Sequence, residues 1–251
     1  MIWEWKTPAR ERNYGDALWE LVGASNDKLL ESYARDATRA HCLIGSYVDN
    51  TVMDEILRSG YTPVFHNCGW RGNELDPELV ERSIFMGCRG PATQRALHRA
   101  GKTICVTADP GRYIPLVVKP SPREKHDDAG ETIFIPHILD PRRDTHRASN
   151  LGVDAIVTPV VRARDDIIAL TQRIARADFV LAGAMHAAIV AHAYNVPFAF
   201  YNGGTSQRID CPAKWDDWLE WLGIDTAQQN HWAHSWDGIN WWEKHRHEMN
   251  R

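Results

Sequence analysis

The chain has 251 residues, a formal net charge of −4 and a pI of about 6.3. This balance, with no lysine-rich run, argues against a nucleic-acid footprint. No segment approaches the roughly 20 apolar residues of a membrane span, and charges interrupt the first residues, so neither a span nor a signal peptide is expected. The five cysteines are scattered without a C-x-x-C pair, which favours a reducing compartment. We therefore expect a cytoplasmic protein.

The N-terminal half repeats a short apolar run, a small polar turn and a helical pattern. The runs that predict strands lie at 2–5, 40–44, 63–66, 83–86 and 103–106. Helical spacing occurs at 52–57 and 93–100, and Asp16 is a good N-cap for a helix after the turn at Gly15. This repetition is typical of a parallel, doubly wound sheet.

A polar segment with two prolines, residues 119–130, is the best candidate for a linker. A second series of elements follows it, with strands at 132–135 and 155–157 and a helix at 165–176. We therefore predict an α/β protein of two Rossmann-like halves that face a cleft. The N-terminal domain would cover 1–120 and the C-terminal domain 131–251.

A strand–helix–strand unit lies in the second half. An apolar run at 179–182 is broken by Gly183, an alanine-rich helical pattern covers 185–194, and a strand pattern follows at 198–201. In such a unit the carboxyl end of a strand meets the amino end of a helix, where anions bind. His186 lies in the first turn of this helix. It is a candidate for function, and packing against the preceding loop is the alternative.

The C-terminal segment is rich in tryptophan, with seven of them between 215 and 242. The helical spacing of Trp215, Trp218, Leu219 and Leu222 favours packing in the core or between domains. A sugar-stacking surface is the alternative.

Polar or charged side chains follow several predicted strands. They are Asp16, Ser46, Asn67, Arg89, Asp109, His137 and His186. Arg89, flanked by small residues in Gly-Cys-Arg-Gly-Pro, is poorly placed for packing but well placed to offer its guanidinium to a carboxylate or phosphate. A salt bridge to a neighbouring loop is the alternative for Arg89.

Six short stretches, taken in order, resemble the polysaccharide pyruvyl transferase family. They are Asn-Tyr-Gly-Asp at 13–16, Ile-Gly-Ser at 44–46, Cys-Arg-Gly-Pro-Ala-Thr at 88–93, Ala-Asp-Pro at 108–110, Ile-Pro-His at 135–137 and Ala-Met-His-Ala-Ala-Ile at 184–189. Much of the family has Arg-Leu-His where this chain has Ala184-Met185-His186, so an arginine near the anion is absent. The Ala-Met-His version resembles the branch with succinoglycan-type ketal pyruvate transferases. Ala108 stands where glycine is usual.

The resemblance implies a fold similar to the GT-B glycosyltransferases. It also implies transfer of the enolpyruvyl group of phosphoenolpyruvate to a sugar of a polysaccharide or lipid-linked oligosaccharide, which forms a pyruvate ketal and releases phosphate. This chemistry needs a proton donor, cationic groups for the anion and a base. His186 is then the general acid and Arg89 the anion clamp. His137 is a second candidate for phosphate binding or proton transfer, and Asp16 is a candidate base.

The resemblance and the strand-end positions also give a set of substrate-binding candidates. They are Asn13, Gly15, Ser46, Asn67, Gly90, Asp109, Gly183 and Lys214. No metal or cofactor is implied, because phosphoenolpyruvate is the donor substrate. The expected partners are phosphoenolpyruvate and a sugar or lipid-linked glycan, with no nucleic acid, and a peripheral position at the inner membrane face stays open. A GT-B-type nucleotide-sugar glycosyltransferase and a non-catalytic sugar-binding relative are the alternative functions.

Overall fold

The computed structural model describes residues 1–7, 9–23, 27–120, 130–201, 211–225 and 235–249. Residues 121–129 of the predicted linker lie outside the described residues. Among the helices within those ranges, none is long and apolar enough to cross a membrane.

The described chain alternates short strands and helices. The strands are β1 (Arg12–Asn13), β2 (Arg39–Cys42), β3 (Thr62–His66), β4 (Ile84–Gly87), β5 (Thr132–Ile135), β6 (Ala155–Ile156), β7 (Val160–Val161), β8 (Phe179–Ala182) and β9 (Phe198–Phe200). The helices are α1 (Tyr14–Ala17), α2 (Trp19–Val22), α3 (Asp27–Arg35), α4 (Asn50–Arg58), α5 (Pro77–Glu81), α6 (Pro91–Arg99), α7 (Ala148–Leu151), α8 (Arg164–Arg176), α9 (Met185–Ala193), α10 (Pro212–Leu222) and α11 (Ser235–His245), and a 3-10 helix spans Pro110–Leu116.

The strands form two parallel sheets and one small antiparallel pair. The first sheet has the order β2-β3-β4, and the second has the order β6-β5-β8-β9. The antiparallel pair of β1 with β7 ties the chain before α1 to the C-terminal half. Parallel sheets with intervening helices confirm the predicted α/β class. The GT-B-like arrangement and the division into domains stay predictions.

Two clusters of buried apolar side chains accompany the two sheets. Phe65 belongs to the cluster of the first sheet, and Phe134 to that of the second. Tyr14 of α1 packs in the second cluster although it precedes the first sheet in the chain. The N-terminal helix therefore lies against the C-terminal sheet, and α1 contacts α9.

The predicted strand–helix–strand unit is the centre of the second sheet. All of β8 is buried, and Val180 lies opposite Ile133 of β5 and Phe198 of β9. Residues 185–191 of α9 are buried too, as expected for a helix that is apolar all round and covered on every side. The prediction of these elements is confirmed.

The helix predicted around 215–222 is α10, and two of its three tryptophans lie in the core. Trp215 and Trp218 are 3% and 1% exposed. Their rings lie 4.8 Å from that of Phe200 and 5.6 Å from that of Phe198, respectively. The packing interpretation is confirmed for these two residues.

The prediction of a full strand at 2–5 is wrong. Ile2 makes one isolated parallel bridge with His41 of β2, and Trp3 N donates to His41 O at 3.0 Å. The pairing stops there because the chain turns away, and Lys6 pairs antiparallel with Arg12.

The strand predicted at 103–106 is also reduced to one bridge, between Val106 and Cys88.

The prediction that Asp16 caps a helix is wrong as well. The helix begins at Tyr14 with Asn13 as its N-cap, so Asp16 lies in the first turn.

Two histidines contact one another in the first sheet. His41 Nδ1 lies 3.1 Å from His66 Nε2, and His41 Nε2 lies 3.3 Å from Asp36 Oδ2. The ring of Tyr33 stacks on that of His41 at 4.1 Å. Burial, together with the neighbouring His41, lowers the pKa of His66 to about 4.

We expect the free energy of unfolding to fall as the pH falls from about 6.5 towards 4. In that interval the unfolded state binds a proton at His66 that the folded state does not, so protons favour unfolding. The expected loss from pH 7 to pH 4.5 is about 2–3 kcal/mol. Urea unfolding of His66→Gln should show a smaller loss than the native protein. His98→Gln, at an exposed position, serves as the control. An unchanged pH dependence in His66→Gln would show that the acid sensitivity arises elsewhere.

Candidate functional site

The structure brings six of the predicted residues together around one cavity of about 360 Å³. They are Asn13, Asp16, Ser46, His137, His186 and Lys214. Ser46 follows β2 of the first sheet, whereas His137 and His186 follow β5 and β8 of the second. The cavity therefore lies where the carboxyl ends of both sheets meet, the position at which open α/β sheets bind ligands.

The imidazole of His186 is held from two sides at the wall of this cavity. Its Nε2 lies 3.5 Å from Oδ2 of Asp109, and both atoms are buried without a closer hydrogen-bond partner among the described residues. On the other side, a Cβ added to Gly15 would lie only 2.2 Å from His186 Nδ1. Any side chain at position 15 would thus displace the ring. Gly15 provides space for His186.

Asp109 is a buried carboxylate that caps the 3-10 helix, where its Oδ1 accepts from Gly111 N at 2.9 Å. Burial alone would raise the pKa of Asp109. The nearby His186 and Arg89 and the hydrogen bond from Gly111 outweigh burial and lower that pKa below its ordinary value. Asp109 is therefore ionised at neutral pH, and its Oδ2 can accept a hydrogen bond from the Nε2–H group of His186.

Asp16 is the second buried carboxylate of the site. Its Oδ2 accepts from Asn13 Nδ2 at 2.9 Å, and the Tyr47 hydroxyl is a further hydrogen-bond partner. Burial raises the pKa of Asp16, and the hydrogen bonds and the charges of His186 and Lys214 offset this only in part. A carboxylate with a raised pKa is a better base than an exposed aspartate.

Arg89 does not line the cavity. Its side chain is fully buried, with Nε 3.1 Å from Asp217 Oδ2, and it donates to Ser46 Oγ at 2.8 Å and to the Lys214 carbonyl at 3.4 Å. Asp217 also accepts from the backbone N–H of Thr93 at 2.8 Å. This position corresponds to the ion-pair alternative. The predicted role as an anion clamp has no support from the position of Arg89, because protein groups occupy its guanidinium.

Two further glycines of the predicted set allow close packing between elements of the protein. A Cβ on Gly90 would lie 2.2 Å from the Asp217 carbonyl oxygen, and a Cβ on Gly183 would lie 2.9 Å from His137 N. Neither glycine lines the cavity. Their contribution is to let α10 and the loop after β5 approach the site.

Two residues near the site have positive φ without being glycine. Asn67 has a φ of 59° and accepts from Thr107 Oγ1 at 2.6 Å, away from the cavity lining. Ala108 has a φ of 73°, in the left-handed region that favours glycine. The alanine that departs from the family pattern is therefore strained, directly before Asp109.

We expect Ala108→Gly to raise the free energy of unfolding by about 0.5–1 kcal/mol. Relief of the left-handed strain of alanine, roughly 1–2 kcal/mol, exceeds the entropy cost of glycine. Thermal unfolding tests this against Ala169→Gly in the exposed part of α8, which should lose stability. Equal losses in both variants would contradict the strain at Ala108.

Ten other residues of the cavity wall were not predicted from the sequence: Trp3, Trp5, Tyr47, Asp49, Thr51, Val52, Glu55, Arg71, Ile138 and Leu139. Arg71 is exposed in the loop after β3, and its guanidinium has no ion pair with any residue that the structure describes. Its carbonyl accepts from Cys211 Sγ, and Gly72 packs against Ala213 at the start of α10. The loop after β3 is thus attached to the helix that carries Lys214. Arg71 stands beside Gly72 in a loop that follows a strand, and this sequence pattern could have predicted its place in the site.

A larger cavity of about 530 Å³ contains none of the predicted site residues. Two of its arginines are ion-paired: Arg143 with Glu11 at 3.2 Å and Arg173 with Glu131 at 2.8 Å. Among the residues that the structure describes, its lining contains no histidine.

Comparison with known proteins supports the resemblance. The family model of the polysaccharide pyruvyl transferases matches residues 78–204, just over half of the chain. The chain belongs to this family. The match runs from α5 to beyond β9, so it includes both His137 and His186. No curated protein matches the chain.

The fold of this family member is similar to one solved structure. That structure is a functionally uncharacterized protein from Klebsiella pneumoniae subsp. pneumoniae NTUH-K2044, at a TM-score of 0.53 and 14% identity. The similarity covers 89% of this chain and 88% of the Klebsiella chain. At this identity the likeness concerns the fold alone.

Proposed function

We propose that this protein transfers the pyruvyl group of phosphoenolpyruvate to a sugar of a polysaccharide or of its lipid-linked precursor. The product is a ketal that bridges two hydroxyls, and phosphate is released. In this proposal the two sheets are the cores of GT-B-like domains over 1–120 and 131–251, and the reaction takes place in the cytoplasm without a metal or cofactor. Membership of the pyruvyl transferase family supports the reaction class.

One observation carries the proposal: a histidine fixed by a buried carboxylate shares a cavity with an aspartate of raised pKa. His186 lies against Asp109, and Asp16 lines the same cavity. When the surroundings of two titratable groups push their pKa values apart, one group can act as the acid and the other as the base.

In the first half of the reaction, His186 donates a proton to the methylene carbon of phosphoenolpyruvate. The adjacent carbon becomes oxocarbenium-like, and a sugar hydroxyl attacks it while Asp16 takes the hydroxyl proton. The C–O bond to phosphate then breaks, and phosphate leaves with the electron pair. A second hydroxyl adds to the same carbon and gives its proton to the deprotonated His186, which completes the ketal and restores the acid. Asp16 then releases its proton to water. Asp109 acts through His186, as a positioning residue.

Cationic side chains of the cavity hold the anionic donor in this proposal. Lys214 is buried on α10, and Arg71 lies in the loop attached to that helix. His137 is a third ligand. Its Nδ1 accepts from Leu139 N at 3.3 Å, so the neutral imidazole carries its proton on Nε2 and can donate to phosphate.

Replacement of His186 by glutamine should lower kcat by about 10²–10⁴, the range typical of a lost proton donor. Binding of phosphoenolpyruvate should change little, because glutamine keeps a hydrogen-bonding group. The measurement is phosphate release from phosphoenolpyruvate with a panel of glycan and lipid-linked acceptors, with His98→Gln as the control. Native turnover in His186→Gln would place the acid elsewhere.

Release of nucleotide from a nucleotide sugar by the native protein, without release of phosphate, would support the glycosyltransferase alternative.

Replacement of Arg71 by glutamine should raise KM for phosphoenolpyruvate roughly 10- to 100-fold, with a smaller effect on kcat. The physical reason is the loss of a charge-assisted hydrogen bond to the donor. Arg58→Gln, at the exposed end of α4, is the matched control. An unchanged KM in Arg71→Gln would remove Arg71 from the donor site.

A further inference from the structure

One part of the cavity wall is aromatic and acidic rather than basic. It consists of Trp3, Trp5 and Tyr47 together with Asp49 and Glu55. Its three aromatic side chains offer apolar ring surface, which the phosphate and carboxylate of phosphoenolpyruvate do not use. This part of the wall is therefore suited to a different ligand.

The two tryptophans are held against the cavity by defined contacts. The ring of Trp3 meets that of Tyr47 edge-on, at 4.9 Å and 87°. The backbone N–H of Trp5 donates to the Tyr47 hydroxyl at 3.3 Å. Both indoles stay partly exposed, unlike those of Trp215 and Trp218 in the core. Among the described tryptophans, this N-terminal pair can offer ring faces to a ligand in the cavity.

Tyr47 connects the aromatic wall to the base. Its hydroxyl contacts the backbone of Trp5 and is also hydrogen-bonded to Asp16. A ligand that rests on the indoles therefore lies near the carboxylate that takes a proton in the proposed reaction.

The two acidic residues of this wall lie on or beside α4. Asp49 is the N-cap, and its Oδ1 accepts from Thr51 N at 2.8 Å. Its second oxygen faces no described partner. Glu55 is exposed on α4, six residues after Asp49. Carboxylate oxygens are strong acceptors for hydroxyl groups.

We propose that Trp3, Trp5, Asp49 and Glu55 form the acceptor subsite, and that it takes a neutral pyranose rather than a uronic acid. The apolar C–H face of the sugar stacks on the indoles, and its hydroxyls donate to the two carboxylates. A sugar carboxylate would meet like charge at Asp49 and Glu55, which weakens the binding of acidic sugars. The role as acceptor rests on the proposed function, whereas binding of the sugar does not.

The test is titration by saturation-transfer NMR with methyl β-D-glucopyranoside, methyl β-D-galactopyranoside and methyl β-D-glucuronide, without phosphoenolpyruvate. The native protein should bind a neutral glycoside saturably and the glucuronide at least about tenfold more weakly. Trp3→Ala and Trp5→Ala should each weaken neutral-glycoside binding about tenfold or more. Trp236→Ala, at a 66% exposed position outside the cavity, should bind as the native protein does.

Glu55→Gln keeps the test decisive if a tryptophan variant unfolds, because its exposed position leaves the fold intact. It should reduce the discrimination against the glucuronide. The proposal is overturned by equal or tighter binding of the glucuronide, by no saturable binding of a neutral glycoside, or by native binding in the tryptophan and Glu55 variants.

The outcome is separable from that of the proposed function. Suppose that the native protein binds the glycoside but releases no phosphate, and that Trp5→Ala loses glycoside binding. This result would support the sugar subsite and contradict the transferase. Phosphate release with native glycoside binding in all variants would contradict the subsite alone.

Discussion

The buried guanidinium of Arg89 holds together the elements that build the cavity. A fully buried cation is tolerated only where ion pairs and hydrogen bonds replace its water. Here the partners come from the loop after β2 (Ser46) and from α10 (Asp217 and the Lys214 carbonyl). Loss of one partner of such a pair typically costs about 3–5 kcal/mol, since the remaining charge stays buried. The relative positions of Ser46 and Lys214 therefore depend on a residue that no substrate needs to touch.

The same network extends towards the chemistry. Arg89 also lies 4.0 Å from Asp109, which in turn lies 3.5 Å from His186. The backbone of Gly15 closes the other side of the imidazole. The imidazole of His186 is thus held between the carboxylate of Asp109 and the backbone of Gly15. Neither of these residues belongs to α9, the helix that carries His186. Such fixed orientation is what proton transfer to a carbon atom requires.

The sequence pattern of a segment predicted those elements whose structure depends on the residues of that segment. The apolar run of β8 and the alanine-rich α9 have a signal within their own residues, and so their existence and the position of His186 were predictable. The role of Arg89 was not, because its decisive partner, Asp217, lies 128 positions later in the chain. The predicted strands at 2–5 and 103–106 failed for a related reason. An apolar run predicts burial, and the neighbours available in the fold decide how far it pairs.

The single bridge between Ile2 and His41 has a consequence for the segment that carries Trp3 and Trp5. This segment is held by isolated bridges and side-chain contacts rather than by pairing along its length. We therefore expect its amide protons to exchange with solvent through local opening. A sugar that rests on both indoles, as proposed, would bind only the closed form and slow that exchange. The order of the first residues of the chain is thereby linked to the occupancy of the cavity.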